Sequence, residues 1–542
     1  MLKANKLIYN KHKGKQLLKN PQFLEAWDKL CKNCPWATIF QTKEFVLSWY
    51  DCFEKYPQII VTDWDGEKMT GLITLTKNNG MITAAGLDLA EYQAWISLPN
   101  LSDEFLQNAL HAINEAFPNQ TLYLKYLTAK VPLNLFLNES PFNSQTFLRH
   151  YAHPLMETNV EVLEAELKKK NKKEKINRLK RLGKLEFFEV KEMNHFRALI
   201  DEMSLQSDFR KGAFYNKTFF HDEPERKTFL LKIFELGLLH VSGLSVDGKL
   251  IASNAGVVGP DVVHLQGINS HSPFYSKYSP GILQFLMLGI ALKKSGFKYF
   301  DLTPGGANGY KSALATETTL AYEFWFTSPF KARKKKTFEK IKNWLKPRLE
   351  DKKLLDVDLS NLNMAEMKLR HKLKFALKRL KPQGKQEYAQ FLESEADVIP
   401  WTDKLENSIS LESMSDGFEI KENYIQDLFL FDENPSIFPR MDIFSDSIIR
   451  LEYGQTMFTL TKGKDLLAIS WYIPSTAKAS KKEAKEITRP PIFVLSYFKT
   501  LKAQELLCLF MKMKKDLVDE TLEDLHLEIG KRQSGLLKIC EI

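Results

Sequence analysis

Two linked stretches carry the fold. The first is Gln266-Gly-Ile-Asn-Ser-His-Ser-Pro-Phe-Tyr-Ser-Lys-Tyr-Ser279-Pro280-Gly281-Ile282-Leu-Gln-Phe-Leu286. The second is Phe300-Asp301-Leu-Thr-Pro-Gly305-Gly306-Ala-Asn-Gly309-Tyr310-Lys311. Residues 261–266 have the composition of a strand, 281–295 the apolar content of a helix, and 299–302 that of a second strand. Ser279-Pro280-Gly281 therefore opens a helix one loop after a strand. Backbone N–H groups at such a start, with the positive end of the helix dipole, bind phosphates well. The plainer reading makes Ser279 an N-cap with Pro280 at the first helical position. Asp301 falls on or at the end of the next strand, and a glycine-rich turn leads from it to Tyr310-Lys311. That second half lifts the phosphate reading above the plain one.

The same order of elements recurs on both sides. Upstream, Gln58-Ile-Ile-Val-Thr-Asp-Trp64, an Asp65-Gly66 turn and Met69–Leu75 form a hairpin, followed by a helix near 103–116 and a strand at Thr121–Tyr126. The quoted stretch is preceded by Leu238–Val246, an Asp247-Gly248 turn and Leu250–Val258. Thr456–Thr461, Gly463-Lys464-Asp465, Leu466–Ile473, Pro491–Ser496, a helix at 502–517 and Asp524–Ile529 repeat the order a third time. The spacing predicts three α/β units of hairpin, strand, helix, strand. Their sheets are mostly antiparallel, with one parallel pair where the helix crosses over. The expected boundaries are 1–150, 151–330, a basic helical linker at 331–385, and 386–542. Pro474–Pro490 reads as a polar loop.

Length and composition agree with this. At roughly 100–200 residues per domain, 542 residues make about three or four domains. A hydrophobic share of 44% with 27% charged residues excludes a mainly disordered or fibrous chain. No apolar run is long enough to span a membrane, and the N-terminus lacks the apolar core of a signal peptide. The expected location is cytoplasmic, with basic patches available for a membrane surface. The net charge of +10 is unevenly spread: residues 163–186 carry ten basic residues against four acidic ones, and Lys331-Ala-Arg-Lys-Lys-Lys336 forms a second block. Such patches steer anionic ligands, membranes or RNA, or are solvated helix faces. Five cysteines make no disulfide framework. Cys31-Lys-Asn-Cys34 has no second ligand pair, so it reads as two ordinary thiols, and no metal is expected. No Gly-x-x-x-x-Gly-Lys-Ser/Thr loop, Gly-x-Gly-x-x-Gly turn after a strand or Gly-x-Ser-x-Gly elbow occurs.

The order strand, Ser279-Pro280-Gly281, helix, Phe300-Asp301-Leu302, glycine-rich turn, Tyr310-Lys311 resembles the GNAT superfamily, and within it the CelD-like and FemAB-like branch. Trp27, Phe40-Gln41-Thr42, Phe45, Trp49 and the basic segment Lys168–Arg181 with Leu182-Gly-Lys-Leu185 add to the likeness, which covers about residues 20–330. The loop Arg/Gln-x-x-Gly-x-Gly/Ala, usual in GNAT proteins, is absent, and Ser279-Pro280-Gly281 stands in its place. The resemblance implies an α/β fold of tandem GNAT-like units, each a twisted, mixed, mostly antiparallel sheet flanked by helices, with the acyl-donor cleft in the second unit. It implies an acyltransferase that moves an acyl group, acetyl in the first instance, from acyl-CoA to an amine or hydroxyl.

In that chemistry the enzyme positions donor and acceptor and stabilises the oxyanion, and the acceptor attacks directly. Ser279, Pro280, Gly281, Ile282, Gly305 and Gly306 would then bind the donor. Asp301 would act as a base or orient the acceptor, Tyr310 would protonate the leaving thiolate, and Lys311 would neutralise a donor phosphate. Asp208, Arg210, Tyr215 and Gln266 would form the acceptor side. Two rivals stay open: a FemAB-like transferase that takes its donor from aminoacyl-tRNA, with Lys168–Arg181 on the RNA or another anionic surface, and a non-catalytic GNAT-fold binding protein. The C-terminal copy has Lys499-Thr-Leu-Lys-Ala where the second has Pro-Gly, and it is expected to be non-catalytic.

Overall fold

The computed structural model describes residues 8–137, 142–305, 309–350, 374–378, 396–400, 417–433, 439–474, 492–498, 503–517 and 526–530. The chain divides into two compact units. One comprises residues 1–204, 219–271 and 278–360, and the other 205–218, 272–277 and 361–542.

The first unit is built on thirteen strands: β1 Ile8–Asn10, β2 Ile59–Asp65, β3 Lys68–Asn78, β4 Met81–Ala84, β5 Ile96–Ser97, β6 Thr121–Thr128, β7 Thr146–Glu157, β8 Leu185–Val190, β9 Leu239–Val246, β10 Lys249–Val258, β11 Val262–His271, β12 Tyr299–Asp301 and β13 Glu317–Phe326. Both hairpins expected from Asp-Gly pairs form. Between β9 and β10, Asp247 and Gly248 both take positive φ (45° and 75°), the conformation that a two-residue turn with the strands' right-handed twist demands. Gly66, with φ 58°, turns β2 into β3.

The sheet runs β1-β2-β3-β4-β6-β13-β7-β12-β11-β10-β9-β8, with β5 beside β3. This order mirrors itself about the central β13–β7 pair. Each half supplies five strands in the same sequence and takes its sixth from the other half. Thus β7 follows the first half in the chain but pairs with β12, while β13 follows the second half but pairs with β6. The centre is sealed by ten antiparallel residue pairs between β7 and β13, from Glu317↔Leu155 to Phe326↔Thr146. Within each half one pair is parallel, β4 with β6 and β11 with β12, because a helix crosses over between them (Ser102–Ala116 and Pro280–Lys294). A continuous apolar core takes in Phe23, Trp27, Phe45 and Trp49 from the first half together with Val190, Phe196, Phe229 and Ile268 from the second. A separate cluster holds the Pro280–Lys294 helix against the other face of β11 and β12 through Val263, Leu265, Phe285, Leu288 and Phe300.

The second unit carries six strands: β14 Ala396–Pro400, β15 Phe418–Glu422, β16 Thr456–Lys462, β17 Asp465–Ile473, β18 Ile492–Phe498 and β19 His526–Gly530. They are ordered β14-β19-β18-β17-β16-β15. The element order expected for a third copy is there: the β16–β17 hairpin, β18, the helix Ala503–Asp516, and β19 parallel to β18. Phe209 and Ala213 belong to this unit's core, beside Phe444. Residues 351–373 and 379–385 of the expected linker and 475–490 of the expected loop lie outside the described residues. Among the described residues no helix is long and apolar enough to cross a membrane.

Candidate functional site

The site begins where two parallel strands part. β11 and β12 pair over only three positions, Val262↔Tyr299, Val263↔Phe300 and His264↔Asp301. β12 then stops, while β11 runs on to His271 against β10. Gly256 and Gly267 face each other in that β10–β11 ladder. A Cβ on Gly267 would stand 2.0 Å from the Ala255 carbonyl oxygen, and one on Gly256 2.1 Å from that of His264. Glycine is needed there for the two backbones to approach so closely. The first half has the same parting of β4 and β6 after Thr83↔Tyr123. There the gap is filled: the Gln93 N–H donates to the Tyr126 carbonyl (3.1 Å), and the Gln93 Oε1 accepts from the Lys125 N–H (2.9 Å).

The neighbouring Tyr92 points across the seam to Asp301. The Asp301 carboxylate is 1% exposed and is met by three side chains of different origin. Tyr92 Oη donates to Oδ2 (2.7 Å) from the first half. His264 Nδ1 lies 2.7 Å from Oδ2 on the paired strand β11. His153 Nε2 lies 2.9 Å from Oδ1 on the exchanged strand β7. Tyr92 Oη and His153 Nε2 are themselves 2.6 Å apart, and His153 Nδ1 is 3.1 Å from the hydroxyl of Thr319 on β13. Burial alone would push the Asp301 carboxyl up. The hydrogen bonds and charge of His153 and His264 overcome it and hold the group well below the usual carboxylate range. Burial and the Asp301 charge keep the Tyr92 phenol protonated far above its ordinary value, so it remains a donor.

Asp301 also shapes the turn that follows. Its Oδ1 accepts the Thr303 N–H at 2.7 Å, and Thr303 sits at φ 64°, a left-handed conformation that a β-branched residue adopts only under strain. The Thr303 carbonyl (2.9 Å), its hydroxyl (3.1 Å) and the Pro304 carbonyl (3.3 Å) receive the ammonium of Lys311. Burial lowers the Lys311 pKa, against the opposing pull of Glu91 and Asp301. Glu91 is held at 2.5 Å by Lys125. The result is a chain of contacts from both halves, through Asp301 and a strained turn, to one half-buried lysine.

Beside this, at the start of the Pro280–Lys294 helix, Ser279 is left-handed (φ 52°, ψ 49°) and makes no side-chain cap. Its hydroxyl instead accepts from Lys175 at 2.8 Å, on the basic helix Lys170–Leu182. A Cβ on Gly281 would meet only His271 Nδ1 within 4 Å, at 3.5 Å.

Residues 167–312 match the acetyltransferase (GNAT) domain family. The match covers that stretch of the chain alone. It lies within the second of the sheet's two mirrored halves. Three solved structures are similar to it. One is the C-terminal domain of a putative lysylphosphatidylglycerol synthetase from Agrobacterium fabrum, 14% identical, covering 57% of this chain and 92% of that one, with a TM-score of 0.38. A second is FemX, 9% identical, covering 56% and 96%, with a TM-score of 0.40. The third is a tandem GNAT protein from the clavulanic acid biosynthesis pathway, 10% identical, covering 59% and 98%, with a TM-score of 0.35. No curated protein matches the chain.

The matched region brings together some of the residues singled out from sequence. Asp301 and Lys311 share the Thr303 turn, and Gly305 (φ 117°) lies beside it, a Cβ there standing 3.4 Å from the Tyr126 hydroxyl. Ser279, Pro280, Gly281 and Ile282 form the helix start, where Pro280 is buried and Ile282 packs on the core. Tyr310 opens the short helix Tyr310–Leu314 with its ring 6.0 Å from that of Phe285. Asp208, Arg210 and Tyr215 lie on the helix Met193–Tyr215, in the part that belongs to the second compact unit. Asp208 is buried, and the Arg210 guanidinium lies over the Phe214 ring. Gln266 lies on β11, while its side chain and Gly306 fall outside the described residues.

Tyr92, His153 and His264 were not found from sequence. As isolated residues in a strand or loop they carry no motif. The only signal is period-two alternation, which puts His264 on the strand face opposite Val263 and Leu265, and that gains meaning only once Asp301 is known to pair beside it. The Cys31 thiol is pushed up to about 12 by burial, which leaves it unreactive, and burial raises Cys34 too. Among the described residues no group of three or more His, Cys, Asp or Glu is placed to hold a metal.

The lowered Asp301 pKa has a testable consequence. A carboxyl whose folded pKa lies below its unfolded value, about 3.9, adds stability that is present above that value and is lost as pH falls toward the folded one. The stability gap between the parent and Asp301→Asn should therefore be constant from pH 5 to 7 and shrink below about pH 4. Urea unfolding at stepped pH measures it, and a gap that widens in acid would exclude an ionised Asp301.

Proposed function

We infer that residues 151–330 transfer an acyl group, acetyl in the simplest case, from a coenzyme A thioester to an amine or hydroxyl acceptor. The observation that carries this reading is the acetyltransferase-family match over 167–312, which encloses the parting of β11 and β12, the uncapped helix start and the Asp301–Lys311 turn. The residues present suit such a donor. Gly281 leaves the helix start open to an anion, and Lys175 adds a positive charge next to it. The β11 edge beyond His264 offers backbone groups to an extended donor chain.

In this reading Ser279, Pro280, Gly281 and Ile282 hold the donor phosphates, and Gly305 and Gly306 bind the donor beside them. Asp301, its oxygens already engaged, acts as the anion that orients the turn. Lys311 supplies positive charge near the reacting carbonyl, and the Tyr310 hydroxyl donates the proton to the leaving sulfur. Gln266, on β11, lies on the acceptor side in this reading. Residues 1–150 complete the sheet, 331–385 link the units, and 386–542 are a non-catalytic copy.

One observation favours a second reading, in which the donor is an aminoacyl-tRNA. A groove of about 760 Å³ lies along the basic helix, lined by Lys168, Lys170, Lys173, Lys180 and Arg181 among others. Thermal melting with acetyl-CoA, and separately with bulk tRNA over a salt series, separates the two. A true donor at about 100 times its dissociation constant adds roughly 2.7 kcal/mol of stability. Gly281→Leu should abolish that shift for acetyl-CoA while leaving the unliganded melting temperature close to the parent's. A shift produced by tRNA alone, falling steeply with salt, selects the second reading. No shift with either ligand removes both.

A further inference from the structure

The helix Pro329–Glu350 follows β13 and leaves the transferase sheet with one face turned to solvent. That face is apolar. Phe330 is 77% exposed, Phe338 56%, Ile341 51% and Trp344 58%. No other aromatic side chains among the described residues are as exposed as these three. At about 100° per residue, Phe330, Ile341, Phe338 and Trp344 fall within a stripe about 120° wide. The opposite face is the one that docks: Ala332 is fully buried, Glu339 is paired with Arg149 at 2.8 Å, and Lys336 donates to the Asn143 carbonyl at 2.8 Å. The helix is therefore held from behind and shows aromatic side chains in front.

Its charges favour one occupant. Residues 329–350 hold nine basic residues and two acidic ones, and one of the acids, Glu339, is engaged by Arg149. Exposed Lys331 and Arg333 flank the stripe, Lys340 adds to one flank, and Lys334 falls inside it. A second copy of the chain would bring these cations against their own equivalents, which like-charge repulsion opposes. RNA would be met by the cations, but it gives Ile341 no partner. A membrane surface with anionic headgroups satisfies both halves of the pattern: the apolar stripe enters the headgroup–acyl boundary, and the flanking lysines meet the phosphates.

We propose that the Pro329–Glu350 helix is an interfacial anchor that seats the chain on anionic lipid bilayers through Phe330, Phe338 and Ile341 and the lysines around them. This does not depend on the acyl-transfer reading. Taken with that reading, it makes acceptors at or near a membrane surface the ones the transferase meets at high local concentration.

Co-sedimentation of the full chain with two vesicle types tests it: phosphatidylcholine alone, and phosphatidylcholine with phosphatidylglycerol. The parent should sediment with the anionic vesicles at low salt and far less with the neutral ones. Phe330→Ser combined with Phe338→Ser should weaken binding at least about tenfold, since each phenylalanine loses its transfer into the boundary. Lys331→Glu combined with Lys334→Glu should weaken it by a similar factor and remove the salt dependence. Both variants alter exposed positions and should melt within a few degrees of the parent, a separate check that they fold. The proposal is overturned if the parent binds neither vesicle, binds both equally, or binds as well after the phenylalanine changes. It is also overturned by a parent dimer that the phenylalanine changes dissociate, by a large drop in their melting temperature (which would mean the chain itself covers the stripe), or by lysine-dependent tRNA binding without vesicle binding.

Discussion

Asp301→Ala is expected to cost the first compact unit about 3–5 kcal/mol, the usual range when one partner of a buried charged network is removed. The carboxylate is the shared acceptor for Tyr92, His264, His153 and the Thr303 N–H. Without it, several buried polar groups lose their partner at once, and each such loss costs about 1–3 kcal/mol. The strain at Thr303 also loses the contact that offsets it. Tyr92→Phe removes a single donor of almost unchanged shape and should cost about 1–2 kcal/mol. Combining it with His153→Gln should give a coupling energy of about 0.5–3 kcal/mol, because both residues touch the same carboxylate and each other. Urea unfolding followed by tryptophan fluorescence reads mainly the first unit, which holds seven of the nine tryptophans. Loss of under 1 kcal/mol in Asp301→Ala would show that the cluster is not what joins the halves.

Tyr310→Phe is expected to lower turnover by about 10²–10⁴-fold with donor affinity little changed, the signature of a group that acts only as the thiolate leaves. The change removes one hydroxyl and keeps the ring contact with Phe285. Lys311→Met provides the contrast. It keeps the aliphatic stem but leaves three turn oxygens without their ammonium. Turnover should fall by a similar factor, here accompanied by a loss of stability that Tyr310→Phe does not share. Stopped-flow or single-turnover thiol release against acetyl-CoA separates chemistry from binding. Equal rates for Tyr310→Phe and the parent would take the hydroxyl out of the mechanism, and unchanged rates for Lys311→Met would make that lysine a brace for the turn.

Local patterns are legible in the order of residues alone. Asp65-Gly66, Asp247-Gly248 and Gly463-Lys464 announce hairpins because the turn conformations they need favour residues without a side-chain penalty. The apolar content of 281–295 and the strand composition of 299–302 follow from which faces can be buried, and Ser279-Pro280-Gly281 marks a helix start through the fixed φ of proline. The family resemblance rests on these together with Asp301 and Tyr310-Lys311. Those are short-range properties, set by each residue and its neighbours.

Tertiary structure decided the rest. That β7 and β13 change places depends on which edges remain open after each half has formed its five strands, and no neighbour in the chain carries that information. The same exchange brings His153 from β7 and Tyr92 from the first half to a carboxylate in the second, across separations of 148 and 209 residues. Ser279 shows the limit from the other side: its sequence suits an N-cap, but the nearby Lys175 takes the hydroxyl, and the backbone goes left-handed instead. Asp208, Arg210 and Tyr215 join the second compact unit because Phe209 and Ala213 are buried beside Phe444, a packing choice made between elements more than two hundred residues apart. Sequence determined which elements form and where they turn. Burial of edges and charges, settled only when distant segments meet, determined which of its polar residues share one site.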